Sequence, residues 1–550
     1  MSEMPHETAG LQIGRLLSRR SMLRLSLATA ALPIAAACSS AAPAAKPTTA
    51  PAKPTEAPAK PAEAPKPAAS ASPAAGASPA AGASPAASPA AGASPAAKPA
   101  ASAGSGRPTP AAPTFSKAKI NGKLSVIVDA DFYPEHNAFI EKKVREFAQM
   151  MDYPLDFSTV ASYVGAANVS QKLLAAVQAG DSPDVITHTE ATTALRFLDV
   201  LEDVDDLQKQ IIKDFGEPYK AFKDMSHIDG KWYAVQHFSR AGGYFVRENA
   251  MKAAGVDYKK DFTDWDTTRE ALLKATAPEK ESWSWGVTIN RSGDGETVVK
   301  EQILSRGGQL CDETGQLVVL NKDPYREYAI AGLTFLKEVY TDPKYSRMLP
   351  PGVNAWTDPS NNEAYLAGKV SFTSNAGTMF AKAVVDKNPV ADDTYLILPP
   401  KGTGAGGRLL ASGGAAKRWF VIKNAKNREA AEQLIRFMSS AEVQKEMFKI
   451  STGYVYPAYE WGWEEPEIKN SAANDKITET WKQYLAHPSG YTGSGAYPAQ
   501  PNPWVSSLES SNFWTDMMGE VLGGKSPADA VKGAHDRALR VFKEFGAKGE

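Results

Sequence analysis

The chain has 550 residues, with 61 basic and 62 acidic side chains, 43% hydrophobic residues and two cysteines. The length suffices for two or more compact units, but 17 of the 39 prolines fall in residues 39–114, so only the remainder can build a core. Residues 115–550 carry a net charge of −7, which argues against a basic footprint for binding nucleic acid.

The first 38 residues have the features of an export signal. Arg19 and Arg20 resemble the twin-arginine motif, and they precede an apolar run, Leu25 to Ala37, that is too short to span a bilayer. Small residues then lead to Cys38, as at a lipoprotein signal-peptidase site. We expect Cys38 to carry a lipid that anchors the protein to the outer face of the cell membrane. The alternative is a soluble exported protein in which Cys38 is an ordinary signal-peptide residue.

Residues 39–114 consist almost entirely of Ala, Pro, Ser, Gly and Lys, and the unit SPAAGA recurs in them. Such a composition buries too little apolar surface to offset the entropy of ordering, so we expect a disordered tether. A wall-spanning structural role is the alternative. Lipidation of Cys38 would leave Cys311 without an intrachain partner, so packing must stabilise the folded part.

From residue 119 onward, strand and helix patterns alternate. Strands are predicted at 123–131, at 155–160 and within 181–188, with helices between them, and the alternation resumes after Gly242. The apolar face of the first predicted helix consists of Ile140, Val144, Phe147 and Met151. This pattern predicts parallel βαβ units. Ligands of such sheets bind beyond the carboxyl ends of the strands, which points to the loops after Val128, Ile186 and Ile289.

Several segments occur in an order that is more specific than any one of them. They are SPDVI (182–186), DGKWYAVQ (229–236), WGVTIN (285–290), AGLTFLKEVYTDP (331–343), AYLAGKVSFTSNAG (364–377), residues 413–457 and GGKSPADAVKGAHDRA (523–538). In this order and spacing the chain resembles the family 1 extracellular solute-binding proteins that deliver ligands to ABC importers, the group that includes maltose-binding protein.

The resemblance implies an α/β periplasmic-binding-protein type II fold, with two hinged lobes over residues 115–550. Lobe 1 would run from about 119 to 235 and return after 371, and lobe 2 would run from about 240 to 370 with much of the C-terminal helical region. The crossings would lie near 236–241 and 373–377, with a third near 418–423. The resemblance further implies a monomeric binding protein that uses no cofactor and no metal and performs no catalysis.

Candidate ligand-binding residues are polar side chains at strand ends and at the crossings. They are His188, Glu190, His237, Arg240, Asn290, Arg291, Asp294, Asn375, Thr378 and Tyr454. Arg240 has two possible roles. Its guanidinium could form a bidentate contact with a ligand carboxylate or phosphate, or it could form a salt bridge that locks the hinge. We expect a small polar solute, a sugar or sugar derivative that is neutral or anionic.

Two strings match cofactor motifs by their letters. GEVLGGKS (519–526) fits the P-loop pattern, but a helix precedes it, and Ser526 with Pro527 is typical of the start of another helix. GTGAGG (402–407) fits the dinucleotide pattern, but no helix follows, so we read it as a mobile glycine-rich loop. The seven histidines show no metal-ligand spacing.

The sequence therefore predicts a lipid-anchored receptor that captures a solute between two lobes and passes it to an ABC importer permease. Two other classes stay open. One is an exported hydrolase or transferase, because His188, Glu190 and Asp294 lie near predicted strand ends. The other is a surface protein with a sensory or adhesive role.

Overall fold

The computed structural model describes residues 107–161, 169–411, 416–487 and 495–550. The predicted export signal, Cys38 and nearly all of the predicted tether lie outside the described residues. The described chain begins at Arg107, inside the segment 39–114 that was expected to be disordered. Arg107 donates to the carbonyl oxygen of Lys213 at 3.4 Å, and its Nε lies 3.6 Å from the Glu460 carboxylate. These contacts attach Arg107 to the folded part.

Strands and helices alternate through most of the described residues. The strands are β1 Leu124–Asp129, β2 Leu155–Val160, β3 Val185–His188, β4 His227–Ile228, β5 Lys231–Trp232, β6 Val235–Arg240, β7 Gly242–Arg247, β8 Trp283–Gly286, β9 Val370–Ala376, β10 Thr394–Ile397, β11 Lys417–Val421 and β12 Val455–Tyr456. Among the described residues, no helix combines the length and the apolar character that crossing a membrane requires.

The α-helices follow the same chain order. They are α1 Pro134–Met150, α2 Val169–Ala179, α3 Thr192–Phe197, α4 Asp205–Phe215, α5 Lys220–Ser226, α6 Glu248–Ala253, α7 Tyr258–Asp261, α8 Trp265–Lys274, α9 Gly293–Leu304, α10 Tyr325–Thr341, α11 Pro343–Ser346, α12 Asp358–Leu366, α13 Thr378–Val385, α14 Val390–Asp393, α15 Arg428–Met438, α16 Ala441–Ile450, α17 Pro466–Lys469, α18 Ala472–Asp475, α19 Thr478–Ala486, α20 Pro503–Ser510, α21 Phe513–Leu522 and α22 Pro527–Glu544.

Two sheets define two lobes. The sheet of lobe 1 has the order β12-β6-β11-β3-β1-β2, and the sheet of lobe 2 has the order β10-β7-β9-β8. In lobe 1, β1 runs parallel to β2 and β3, whereas β11 runs antiparallel to β3 and β6. In lobe 2, β9 runs parallel to β8 and antiparallel to β7. The strands β1, β3 and β6 therefore point in one direction.

Most predicted elements are observed. β2 has the predicted bounds, α1 buries the predicted apolar face, and Gly180 ends α2 with a φ of +72°. Two predictions are wrong. The segment 418–423 is not a crossing, because β11 lies inside the lobe 1 sheet between β6 and β3. The strand expected to end at Ile289 ends at Gly286.

Large aromatic side chains fill the cores. Trp419 is fully buried on β11 in lobe 1. In lobe 2, Trp265 and Trp285 stack with ring centroids 5.8 Å apart and planes inclined by 12°. All three tryptophans are buried in the cores. Core packing therefore explains why these residues are tryptophan, without any contact to a ligand.

The two motif-like strings are structural. The residues of GEVLGGKS close α21 and lead to α22, whose N-cap Ser526 accepts a hydrogen bond from Asp529 N at 3.1 Å. The sequence predicts a mobile loop at GTGAGG (402–407). In the structure this glycine-rich loop packs against the end of α9. A Cβ atom on Gly402 would lie 2.0 Å from the carbonyl oxygen of Ser305, and Arg408 donates to that same oxygen at 2.8 Å.

We expect Gly402→Ala to lower the free energy of unfolding by roughly 1–3 kcal/mol, because the backbone of α9 must move to admit the methyl group. Gly519→Ala is the control, since Gly519 lies inside α21 with nothing within 4 Å of its added Cβ. The control should gain about 0.5–1 kcal/mol from helix propensity. Urea unfolding followed by circular dichroism measures both, and equal stability of the two variants would contradict the packing argument.

Candidate functional site

The carboxyl ends of the parallel strands of lobe 1 meet at one edge of its sheet, which we call the cleft edge. β1, β3 and β6 end there, and β11 begins there because it runs in the opposite direction. The charged and imidazole side chains at or just beyond these strand ends are Asp129, Asp131, His188, Glu190, Arg240, Lys417 and Arg418. This is the edge at which open α/β sheets bind ligands.

Two chain segments pass between the lobes side by side. β6 continues into β7 of lobe 2 through Ala241, and β9 of lobe 2 leads through Gly377 to α13, which packs in the lobe 1 core. Gly377 N donates to Ala241 O at 2.8 Å, and Ala241 N donates to Tyr454 O at 3.0 Å. A Cβ on Gly377 would lie 2.8 Å from Gly453 O, so this close approach requires glycine.

Lys417 is the centre of a buried ion cluster at the cleft edge. Its side chain is 2% exposed, and its Nζ donates to Asp129 Oδ2 at 2.6 Å and to Asp131 Oδ1 at 3.2 Å. Nζ also donates to the carbonyl oxygen of Asp129 at 3.2 Å. Charges buried this deeply are stable only when paired and hydrogen-bonded, so the three side chains hold one another in place.

Asp131 links this cluster to the crossing. It accepts a hydrogen bond from Tyr454 Oη at 2.7 Å, and its Oδ1 lies 3.6 Å from Arg240 Nη1. Burial alone would raise the pKa of Asp131, but Lys417 and Arg240 outweigh burial and lower that pKa to about 2. Asp131 is therefore ionised at neutral pH and holds Arg240 at the end of β6.

The buried histidines at this edge are neutral. Burial lowers the pKa of His136 and of His188 to about 4 each, although Asp131 and Asp129 respectively act in the opposite direction. His188 Nδ1 accepts a hydrogen bond from Glu190 N at 2.8 Å, so the proton of the neutral ring lies on Nε2. That nitrogen lies 4.0 Å from Asp129 Oδ2.

Glu190 lies in a loop that Arg418 fixes. Arg418 Nη2 donates to the carbonyl oxygens of Thr189 and Glu190, each at 2.7 Å. Burial raises the pKa of Glu190, against hydrogen bonds and the Arg418 charge, which lower it. The charge of Glu509 on α20 of lobe 2 makes a smaller contribution that raises it.

Asp294 lies at the facing edge of lobe 2, in the first turn of α9. Asn361 Nδ2 donates to Asp294 Oδ2 at 2.8 Å, and Asp294 N donates to Asp358 Oδ1 at 3.0 Å. Burial raises the pKa of Asp294 well above its usual value and the charge of Asp358 raises it further, whereas Arg240 of lobe 1 acts to lower it. The Arg240 charge therefore acts on Asp131 of lobe 1 and on Asp294 of lobe 2.

The other candidate residues of lobe 2 are held by partners within that lobe. Asn290 Nδ2 donates to the carbonyl oxygens of Asn354 at 2.6 Å and Trp356 at 3.1 Å. Asn375 Nδ2 donates to Asn362 Oδ1. Arg291 is 69% exposed and forms a bidentate pair with Asp516, at 2.6 and 2.9 Å.

Two candidate residues are packed into the cores beside the crossing. Thr378 is buried at the first turn of α13. His237 is 2% exposed, its ring lies 5.2 Å from that of Trp419, and burial lowers its pKa well below the usual value. The fold thus brings His188, Glu190, Arg240 and Tyr454 to the cleft edge, but it encloses His237 within lobe 1.

Sequence reasoning missed the residues that organise the site. Asp129, Asp131 and Lys417 were absent from the candidates, as were Asp358 and Asn361 of lobe 2. Charged residues that directly flank a buried strand were the available signal, in VDAD after β1 and in KR before the apolar part of β11. In the described ranges, no group of three or more His, Cys, Asp or Glu could hold a metal ion.

We expect Lys417→Met to lower the free energy of unfolding at pH 7 by about 3–5 kcal/mol, because it leaves two buried carboxylates without their shared cation. Lys426→Met is the control, since Lys426 is 50% exposed and lies 3.6 Å from Asp181. The control should lose less than about 1 kcal/mol.

The same pair of variants tests the pH dependence. The pKa of Asp131 is lowered to about 2, so its stabilising contribution is complete above the unfolded pKa of about 4 and is lost as the pH falls from 4 to 2. The deficit of Lys417→Met should shrink over that interval, because Asp131 of the unchanged chain takes up a proton there and loses its attraction to Lys417. Urea unfolding at pH 7, 4 and 3 measures it, and a deficit independent of pH would refute the role of Lys417.

Comparison with known proteins gives the family. The profile of the bacterial extracellular solute-binding proteins matches residues 134–445, more than half of the chain. A comparison with curated protein sequences gave no match. A solute-binding protein of an ABC transporter from Thermotoga lettingae TMO, bound with α-D-tagatose, is similar in structure with a TM-score of 0.61. It is 15% identical, and the match covers 77% of this chain and 100% of that one.

Two further solved structures are similar at the level of the fold. Maltose-bound MalE3 of T. maritima has a TM-score of 0.61 and 18% identity, with 77% of this chain and 98% of that chain covered. A solute-binding protein of an ABC transporter from Agrobacterium radiobacter K84, in complex with ribitol, has a TM-score of 0.59 and 16% identity, with 78% and 98% covered. With the profile match and the two-lobed α/β fold, this chain belongs to the bacterial extracellular solute-binding protein family.

Proposed function

We propose that this protein captures a neutral sugar or polyol between its two lobes and delivers it to an ABC importer. The observation that carries the proposal is the position of Arg240, at the crossing, 3.6 Å from Asp131 of lobe 1 and within electrostatic range of Asp294 of lobe 2. A ligand that contacts Arg240, Asp131 and Asp294 together contacts both lobes. Such a ligand stabilises the closed arrangement, because it binds that arrangement more tightly than the open one.

The charge balance of the cleft edge favours a neutral ligand. Lys417 and Arg240 face the carboxylates of Asp129 and Asp131, and Arg418 is engaged by two carbonyl oxygens. An anionic ligand would compete with carboxylates for cations that are already paired. Similar structures were solved with neutral polyhydroxylated compounds, namely α-D-tagatose, maltose and ribitol.

The hydrogen-bonding groups also suit hydroxyl groups. Asp294 and Glu190 have raised pKa values, chiefly through burial. The oxygens of both carboxyl groups can accept hydrogen bonds from sugar hydroxyls. Ionised Asp131 and the Arg240 guanidinium add a strong acceptor and a strong donor.

We further propose that the protein is a monomer on the outer face of the cell membrane. Export would follow the twin-arginine route, and a lipid on Cys38 would hold the protein there. The support for this location is in the sequence, where Arg19 and Arg20 precede a short apolar run that ends at Cys38. Membership of an extracellular binding family agrees with export.

We expect Arg240→Met to raise the dissociation constant for the preferred sugar by about tenfold or more, because a charge-assisted contact shared by both lobes is lost. Arg291→Met is the matched control, since Arg291 is exposed and pairs with Asp516 outside the cluster. Titration calorimetry at pH 7 against α-D-tagatose, maltose, laminaribiose, ribitol and glucuronate measures both variants and the unchanged chain.

At least one neutral compound should bind the unchanged chain without being converted, and Arg291→Met should keep its affinity. If glucuronate bound most tightly, the ligand would be anionic and Arg240 would bind its carboxylate. If Arg291→Met weakened binding as much as Arg240→Met, the site would lie elsewhere on lobe 2.

We expect Cys38→Ala to release the protein from the membrane, because the thiol that would carry the lipid is removed. Ser39→Ala is the control, since it changes the neighbouring residue and keeps the thiol. Fractionation of producing cells, with mass spectrometry of the mature N-terminus, measures the outcome. Membrane attachment of Cys38→Ala equal to that of the control would contradict the lipid anchor.

A further inference from the structure

A second contact between the lobes does not use the crossing segments. It joins α3 of lobe 1 to α20 and to the end of α22 in lobe 2. The ring of Phe197, the last residue of α3, lies against the ring of Phe545, which directly follows α22. Their centroids are 4.7 Å apart and their planes are inclined by 39°.

Each ring is fixed to its own lobe. α3 is anchored by Leu195, which is buried with Ile186 of β3 and Phe420 of β11. α22 is anchored by Phe542, which is buried in the lobe 2 core. The ring contact therefore joins elements that are anchored in two separate core clusters.

Arg196, next to Phe197, and Glu509 of α20 each have partners within their own lobe. The Arg196 guanidinium lies 4.8 Å from the ring centroid of Tyr233, and its Nη1 lies 3.7 Å from Asp199. In lobe 2, the Glu509 carboxylate accepts from Lys300 Nζ at 2.7 Å and from Gly495 N at 2.9 Å. Phe197 and Phe545 thus meet through apolar surface, which is stabilising when it is removed from water.

The contact lies close in sequence to the cleft edge. α3 begins two residues after Glu190, and α20 carries Glu509, whose charge acts on Glu190. A hinge rotation about the crossing segments that opens the lobes therefore also moves Glu190 away from Glu509 and moves the two rings apart.

We propose that Phe197 and Phe545 form an interlobe latch that stabilises the closed arrangement and slows the release of ligand. This inference rests on the proposed function for its effect on ligand, but the latch itself is a property of the two lobes. An aromatic pair of this kind should slow opening by about two- to tenfold.

The test compares Phe197→Ala, Phe545→Ala and the double variant with Phe157→Ala in the full chain. Phe157 is the matched control because it is also half-buried, on the outer strand β2, with the Arg145 guanidinium 5.2 Å from its ring centroid. Hydrogen exchange and small-angle scattering are measured without added ligand, and the dissociation rate of maltose is measured by stopped-flow fluorescence.

Both single latch variants should show faster exchange in α3 and α20 and a larger radius of gyration, whereas Phe157→Ala should not. The double variant should resemble either single variant, because both remove the same contact. Phe197→Leu keeps apolar bulk and should give an intermediate exchange rate, which separates the latch from misfolding.

Unchanged exchange and scattering in both single variants would overturn the latch, as would equal changes in Phe157→Ala. Absence of maltose binding would count against the sugar part of the proposed function. In that case the exchange and scattering results still test whether Phe197 and Phe545 hold the lobes together, because both are measured without ligand.

Discussion

The buried pairing of Lys417 with Asp129 and Asp131 is the interaction on which the cleft edge depends. Lys417 and Asp129 are 288 residues apart, and they meet only because β11 enters the sheet next to β3. Removing three charged groups from water carries a large desolvation cost, which is offset only while each has its partner. The cluster therefore requires the correct strand order, and the correct strand order presents Arg240 and Tyr454 at the crossing.

Several charged groups of lobe 2 have partners within that lobe. Lys300 pairs with Glu509, and Arg291 pairs with Asp516, both within lobe 2. Arg240 is different, because the charges that act on it come from both lobes. A change in the angle between the lobes leaves the ion pairs that lie within one lobe intact.

Sequence reasoning predicted the elements well where local periodicity decides them, as in α1, β2 and the turn at Ser526. The crossing expected at 418–423 was implied by the family resemblance, and it is wrong because β11 lies between β6 and β3 in the lobe 1 sheet. Sequence reasoning chose Arg291 and Asp294 together from one loop, yet their side chains face different partners, Asp516 and Asn361. It missed Lys417, since no local pattern reports a partner 288 residues away.

The start of the described chain is fastened to lobe 1. Arg107 contacts Lys213 and Glu460, and the ring of Phe115 lies 5.7 Å from that of Phe147 in the lobe 1 core. A pull on the N-terminus is therefore transmitted to lobe 1 and leaves the segments that join the lobes, at Ala241 and Gly377, outside its path.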